Sequence, residues 1–171
     1  MAVNQLSVRA CSVDDLVMLR SQWPTSADVH GAHHSQQRAG AATYLVAWRG
    51  EVPLGSCMVQ WGGCIGEVAR VAFPAAVEIN HLQVREQFRS QGVGRSLIES
   101  AEGLAAQAGR NQVAVGVGDD NPDAERLYVR LGYLPTGVFD ITEYDWVDED
   151  DVVRHAIERN QLLIKEVRDA L

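Results

Sequence analysis

The sequence predicts a mixed α/β fold of three layers, with helices on both faces of a central sheet, and three observations lead there. Two β-rich runs, Thr43 to Trp48 and Leu54 to Trp61, are separated by the turn sequence Arg49-Gly50-Glu51-Val52-Pro53, which makes them an antiparallel hairpin. A strand pattern from Val77 to Val84 passes through a glycine-bearing loop into an amphipathic helix that begins at Val93. A run that is apolar on both faces, Val113 to Val117, reads as a strand buried in mid-sheet and is followed by the helix-opening pair Asn121-Pro122. Strands separated by helices in the middle of the chain, with hairpins at its ends, require that layered arrangement.

In chain order, Leu6 to Ala10 reads as a short strand, and Ser12-Val13-Asp14-Asp15 offers a cap to a helix ending near Trp23-Pro24. Residues 27 to 40, rich in His and Gln with poor periodicity, fit a second short helix or a loop over a cleft. After the hairpin, Gly62-Gly63 opens an irregular stretch to about Ala75. In Val77 to Val84, strict alternation puts Glu78, Asn80, Leu82 and Val84 on one face and Val77, Ile79, His81 and Gln83 on the other. Leu97, Ile98, Ala101, Leu104, Ala105 and Ala108 recur at helical spacing, and Gly109 can end that helix in a left-handed cap. The helix opened by Pro122 runs to about Leu131, and Gly132-Tyr133 returns the chain to a strand. Residues 152 to 171 fit either a helix, through Ile157, Leu163, Ile164, Val167 and Leu171, or a closing strand at LLIKEV.

Length and composition bound the function. The 171 residues carry no internal repeat or linker, so residues 1–171 read as a single domain, and 46% apolar residues suit a packed core rather than disorder. Lys and Arg number 15 against 23 Asp and Glu, a net charge of −8, which leaves no broad positive field for nucleic acid or anionic lipid. No basic-then-apolar leader and no span of bilayer length is present, so no membrane partner is expected. Cys11, Cys57 and Cys64 have neither CxxC nor metal-ligand spacing, which suggests reduced core thiols and a cytoplasmic setting. His30 and His34 stand at helical spacing without a cysteine or acidic third ligand, so no metal is expected.

The segment from Gln83 to Leu97 is the most informative: strand, loop with glycines, then helix directly. The first amides of a helix lack partners and carry about half a unit of positive charge, glycines let the backbone approach a ligand, and Arg85, Arg89 and Arg95 add cationic donors. Pyrophosphate suits such a loop; an Arg-rich exposed turn is the alternative. A dinucleotide GxGxxG fails because Leu97 holds its third glycine position, and a P-loop fails for want of GK[ST].

The run RSQGVG, Arg89 to Gly94, resembles the R/Q-x-x-G-x-G/A loop of the GNAT superfamily of N-acetyltransferases. VEINHLQV ahead of it, the helix after it, and NPDAERLYVRLGY (Asn121 to Tyr133) are similar to further segments of that family, in the family's order. The resemblance implies a mostly antiparallel, twisted sheet of six or seven strands flanked by about four helices. It also implies acetyl-CoA as cosubstrate and an amine as acceptor, and it leaves oligomeric state open, with a homodimer common among similar proteins.

Carried onto this chain, the resemblance makes Tyr128 the general acid for the leaving thiolate, or else a core tyrosine. Glu78 takes the position of a general base, or is an ion-paired strand carboxylate, and Asn80 shares its face as a group that orients water or acceptor, or is merely structural. The backbone of Leu82, Gln83 and Val84 would pair with the pantetheine arm as an added strand. Gln91, Gly92, Val93, Gly94 and Arg95 would surround the pyrophosphate, Arg89 fills the motif's first position or else caps or pairs locally, and Asn121 would cap its helix and donate toward the pantetheine, or cap the helix alone. Asp140 to Asp151 holds seven acids and no base, and Asp119 to Glu125 adds four acids; these either attract a cationic acceptor or solvate turns. The leading reading is an acetyl-CoA-dependent N-acetyltransferase acting by direct attack of an amine. Its rivals are a silent acyl-CoA-binding module and a transferase using another acyl-CoA.

Overall fold

Seven strands in the computed structural model, which describes residues 5–168, form one sheet in the order β1-β2-β3-β4-β5-β7-β6. They are β1 Leu6–Ala10, β2 Ala42–Arg49, β3 Val52–Gln60, β4 Val77–Val84, β5 Gln112–Gly118, β6 Leu134–Val147 and β7 Val153–Glu166. Every neighbouring pair is antiparallel except β4 and β5, so the mixed, mostly antiparallel sheet expected from the resemblance is present. Five helices flank it where about four were expected: α1 Val13–Gln22, α2 Val29–Arg38, α3 Glu67–Ala72, α4 Val93–Gln107 and α5 Pro122–Arg130.

Local chemistry explains most boundaries. Ser12 Oγ accepts from Asp15 N at 3.0 Å while Asp15 Oδ2 accepts from Ser12 N at 3.1 Å, a reciprocal cap for α1. The segment with poor periodicity forms α2, opened by Asp28, whose carboxylate accepts from Gly31 N at 3.4 Å. The irregular stretch contains α3, a helix the sequence does not announce. Its amides at Val68 and Ala69 donate to the carboxylate of Asp140, both at 2.9 Å, so its cap lies on β6, far away in the chain. Residues 153 to 166 are a strand: β7 pairs with β5 from Gln112↔Glu166 to Gly118↔Asn160 and with β6 beyond, which settles a stretch whose apolar spacing also fitted a helix. Leu171 lies outside the described residues.

One face of the sheet packs on α4 and α5. Leu97, Ile98 and Ala101 of α4 are fully buried there against Cys57, Val59, Val77, Ile79, Val113 and Val115. Burying each Leu or Ile contributes on the order of 1.5–3 kcal/mol, so this face carries much of the stability. The opposite face is covered by α1 and α2 over Tyr44, Val46, Trp48 and Met58, and by α3 over Ala114 and Leu162. Among the described residues, no helix is long and apolar enough to cross a membrane.

One irregularity positions the site. Asn80 lies opposite Met58 and Gln83 opposite Ser56, so three steps along β4 match two along β3. The extra residue falls at the bulge where His81 has a left-handed φ of 51°. The strict alternation expected for β4 is therefore wrong past Asn80: Leu82 and Val84 join Val77 and Ile79 on the α4 face instead of following Glu78 and Asn80. The β4–β5 ladder also stops at Ile79↔Val115, after which β4 stays with β3 and β5 with β7. The sheet splays open between them.

Candidate active site

On the face covered by α3, beside the splay, lies a cavity of about 350 Å³ lined by Glu78, Asn80, His81, Gly116, Asp140 and Glu158, among others. Glu78 is 7% exposed. Its Oε2 accepts from Asn80 Nδ2 at 3.2 Å and from Ile65 N at 3.4 Å, while Asn80 Oδ1 accepts from Gln60 Nε2 at 3.2 Å. Burial pushes the carboxyl of Glu78 up to about 6, with the nearby negative charge of Asp140 adding to the rise and the two hydrogen bonds opposing it. A carboxylate tuned to that range can accept a proton near neutral pH. Gly116 forms part of the wall, and a Cβ there would meet no atom within 4 Å, so the cavity is open above it.

A second cavity of about 200 Å³, lined by His30, His33, Tyr44, Ser56, His81 and Gln83, adjoins the first through His81. Both nitrogens of His30 are engaged, Nδ1 with Tyr44 Oη at 2.6 Å and Nε2 with Trp23 O at 2.7 Å. Burial holds His33 down to about 4, so its ring is neutral at pH 7.

Tyr128 sits on the other face, in the α4–α5 core, its ring edge-on to Tyr133 with centroids 5.8 Å apart. It is 7% exposed, and burial pushes its hydroxyl up to about 12. Glu78 and Tyr128 thus lie on opposite faces of the sheet, and the β4–β5 ladder ends at Ile79↔Val115, one residue past Glu78.

The loop ahead of α4 has the features an anion requires. Gly92 precedes the helix at φ 82°, no side chain caps the helix, and a Cβ on Gly92 would meet nothing within 4 Å, so the first amides at Val93, Gly94 and Arg95 have open space before them. The cations there are partly committed. Arg89 Nε donates to Val84 O at 3.3 Å, Arg95 pairs with Glu99 at 3.1 Å, and Gln91 Oε1 accepts from Arg49 at 3.2 Å. Arg85, counted in the sequence as a cationic donor to the loop, points elsewhere: it donates to Pro53 O at 3.0 Å and Gln22 O at 3.1 Å and lies over the Trp23 and Phe88 rings. On the side of β4 that faces β5, Leu82, Gln83 and Val84 pair with no strand among the described residues. Asn121 caps α5, its Oδ1 accepting from Ala124 N at 3.2 Å.

Sequence reasoning missed Gly116 and Glu158 as cavity residues, and Gln60 as the side chain that holds Asn80. Gln60 carries no motif, and Glu158 became placeable only once β7 was known to be a strand. Of the seven acids between Asp140 and Asp151, Asp140 reaches the cavity; Glu143 and Asp145 clasp His155 at 2.6 and 2.7 Å, and Asp148 holds the hairpin turn and Arg154. Most of that charge therefore belongs to the β6–β7 ribbon rather than to a cleft.

The fold is shared with solved acetyltransferases. An N-acetyltransferase from Staphylococcus aureus Mu50 superposes with a TM-score of 0.67 at 13% identity, covering 95% of this chain and 99% of that one. A putative acetyltransferase from Salmonella typhimurium, solved with its cofactor acetyl-CoA, gives 0.65 at 16% identity, covering 98% and 96%. Spermidine N-acetyltransferase from Vibrio cholerae, in complex with CoA and spermine, gives 0.63 at 16% identity, covering 95% and 96%. A family model described as acetyltransferase (GNAT) family matches residues 12–133, well over half of the sequence, and by that match the chain belongs to the GNAT family of acetyltransferases.

Proposed function

We propose that this protein, acting as one domain over residues 1–171, transfers the acetyl group of acetyl-CoA to a primary amine of a small molecule or peptide by direct nucleophilic attack. The observation that carries the reading is the splay between β4 and β5, which leaves the β4 edge past Ile79 unpaired between the buried carboxylate of Glu78 on one face and Tyr128 and the loop before α4 on the other. The amide groups of Val93, Gly94 and Arg95, with Gln91, Gly92 and Arg89 around them, would receive the pyrophosphate, and the free edge of Leu82, Gln83 and Val84 would pair with the pantetheine arm. Asn121 has its capping oxygen occupied by Ala124 N, which leaves its amide N–H groups as donors toward the same arm.

In the reaction, Glu78 takes a proton from the acceptor ammonium, directly or through a water that Asn80 helps orient. The freed nitrogen attacks the thioester carbonyl to form the C–N bond, the C–S bond breaks as Tyr128 gives its proton to the departing thiolate, and the second proton of the attacking nitrogen passes to solvent, which also returns a proton to Tyr128, leaving the amide and the CoA thiol. A phenol raised to about 12 remains protonated at neutral pH, as that role requires. Three buried cysteines support a reducing, cytoplasmic setting.

The test is thiol release from acetyl-CoA and from succinyl-CoA across amines, amino acids and peptide N-termini, run beside calorimetric binding of acetyl-CoA. Turnover from acetyl-CoA with an amine is the expected result. Binding without turnover across the panel would favour a silent acyl-CoA-binding module, preference for succinyl-CoA would change the donor, and no binding of either would overturn the reading.

A further inference from the structure

The cavity beside Glu78 is negative in a way that a general base alone does not require. Both hydrogen bonds to Glu78 end on Oε2, so Oε1 of a side chain that is 7% exposed has no hydrogen-bond partner among the described residues, and the residue lines the cavity. Asp140 lines it too, though both of its oxygens are taken by the amides of Val68 and Ala69. Glu158, on the β7 wall, accepts from the Tyr144 hydroxyl through Oε1 at 3.0 Å, and its Oε2 is unpartnered among the described residues. No Lys or Arg lines the cavity, and the other polar lining groups include Thr142 and Asn160, which can hydrogen-bond but carry no charge. Two carboxylates thus line one cleft, each with an oxygen unpartnered among the described residues, and no Lys or Arg lines it with them. Like charges that share a partly buried cleft repel one another, and a positive ligand between them relieves that repulsion.

We propose that the acceptor is a diamine or polyamine, with the reacting nitrogen at Glu78 and a second ammonium held by Glu158. The assignment rests on the acetyl-transfer reading above. It selects against acceptors whose distal group is anionic, such as amino acids, because that group would face Glu158 and Asp140.

The test compares kcat/KM with acetyl-CoA for butane diamine, butylamine and γ-aminobutyrate, whose distal groups are a cation, a methyl and a carboxylate. The diamine is expected to exceed butylamine by about tenfold or more and γ-aminobutyrate by about a hundredfold. Glu158→Gln is expected to remove most of the diamine's advantage through KM rather than kcat, while Glu149→Gln, in the exposed β6–β7 turn, serves as the charge-matched control. Equal rates for the three acceptors, or a preference for γ-aminobutyrate, would overturn the proposal and leave the acetyl-transfer reading standing. If no acceptor turns over, butane diamine is titrated calorimetrically into the protein with CoA. Binding that weakens in Glu158→Gln upholds the cation site while the transfer reading falls, and absence of binding overturns the site itself.

Discussion

Gln60 on β3 donates its side-chain N–H to Asn80 Oδ1 on β4 at 3.2 Å, and that bond fixes which end of the Asn80 amide faces Glu78. With its oxygen occupied by a donor, Asn80 turns Nδ2 toward Glu78 Oε2, 3.2 Å away. Three side chains from two strands form a directed chain ending on the carboxylate. The pairs Gln60↔Glu78 and Met58↔Asn80 in the β3–β4 register hold it on one face.

The chain stabilises the charged form of Glu78, so breaking it has a defined sign. Asn80→Ala removes a hydrogen bond that lowers the carboxyl, and the acidic limb of the kcat/KM profile is expected to move above its wild-type position near 6. Gln60→Leu is expected to move it in the same direction by less, since it disorients Asn80 without removing the donor. A limb that stays put in both variants would show that Asn80 does not hold the base.

The burial of Glu78 carries a stability cost beside the proposed role of its carboxylate. Its carboxyl is raised from 4.5 to about 6 in the folded protein, so the neutral form is favoured on folding and the penalty appears as pH rises through that window. Below pH 4.5 both states are protonated and the penalty is absent. Glu78→Gln is therefore expected to raise Tm by a few degrees at pH 8, consistent with on the order of 1–2 kcal/mol, and to show no gain at pH 4. The same variant is expected to lose acetyl transfer by about a hundredfold or more at pH 7. A Tm that falls at pH 8 would mean that the carboxylate is held by attractions stronger than its burial.

Tyr128 offers a cleaner separation. Burial is the main cause of its raised pKa and no hydrogen bond contributes to it, so Tyr128→Phe breaks no bond in the core and leaves the edge-on contact with Tyr133 intact. The variant is expected to keep Tm and acetyl-CoA affinity while transfer falls by about 10²–10⁴-fold. Unchanged turnover would assign the thiolate proton to water and return Tyr128 to the core.

How much of this was legible in the sequence depended on whether the determining contact was local. The loop before α4 was readable because its glycine, its helix start and the periodicity of Leu97, Ile98 and Ala101 all lie within a few turns of one another. Glu78 and Asn80 were rightly put on one face by alternation, but alternation failed directly after Asn80, because a bulge at a non-glycine such as His81 leaves no local mark. Helix α3 was invisible for the converse reason: its cap is Asp140, which only the folded sheet brings to Val68 and Ala69. The stretch from Val153 to Glu166 has apolar residues that suit two periods, and pairing with β5 and β6 decides between them. Glu158 and its cavity followed from that pairing.

Gly92 allows strain and ligand binding to be told apart. It holds φ 82° at the start of α4, and Gly40 holds the same φ in the turn after α2, with no atom within 4 Å of a Cβ in either place. Valine at each position therefore meets the same backbone penalty, about 1–2 kcal/mol or more for a β-branched residue, and no clash. Both variants are expected to lose Tm by several degrees. Gly92→Val also puts bulk in the space before the α4 amides, so its acetyl-CoA affinity is expected to fall by about tenfold or more, whereas Gly40→Val keeps wild-type affinity. Calorimetric titration of acetyl-CoA into both proteins, below their unfolding range, measures the difference. Equal affinities would show that the amides of Val93, Gly94 and Arg95 do not receive the pyrophosphate, and the cofactor would have to enter by another edge of the splay.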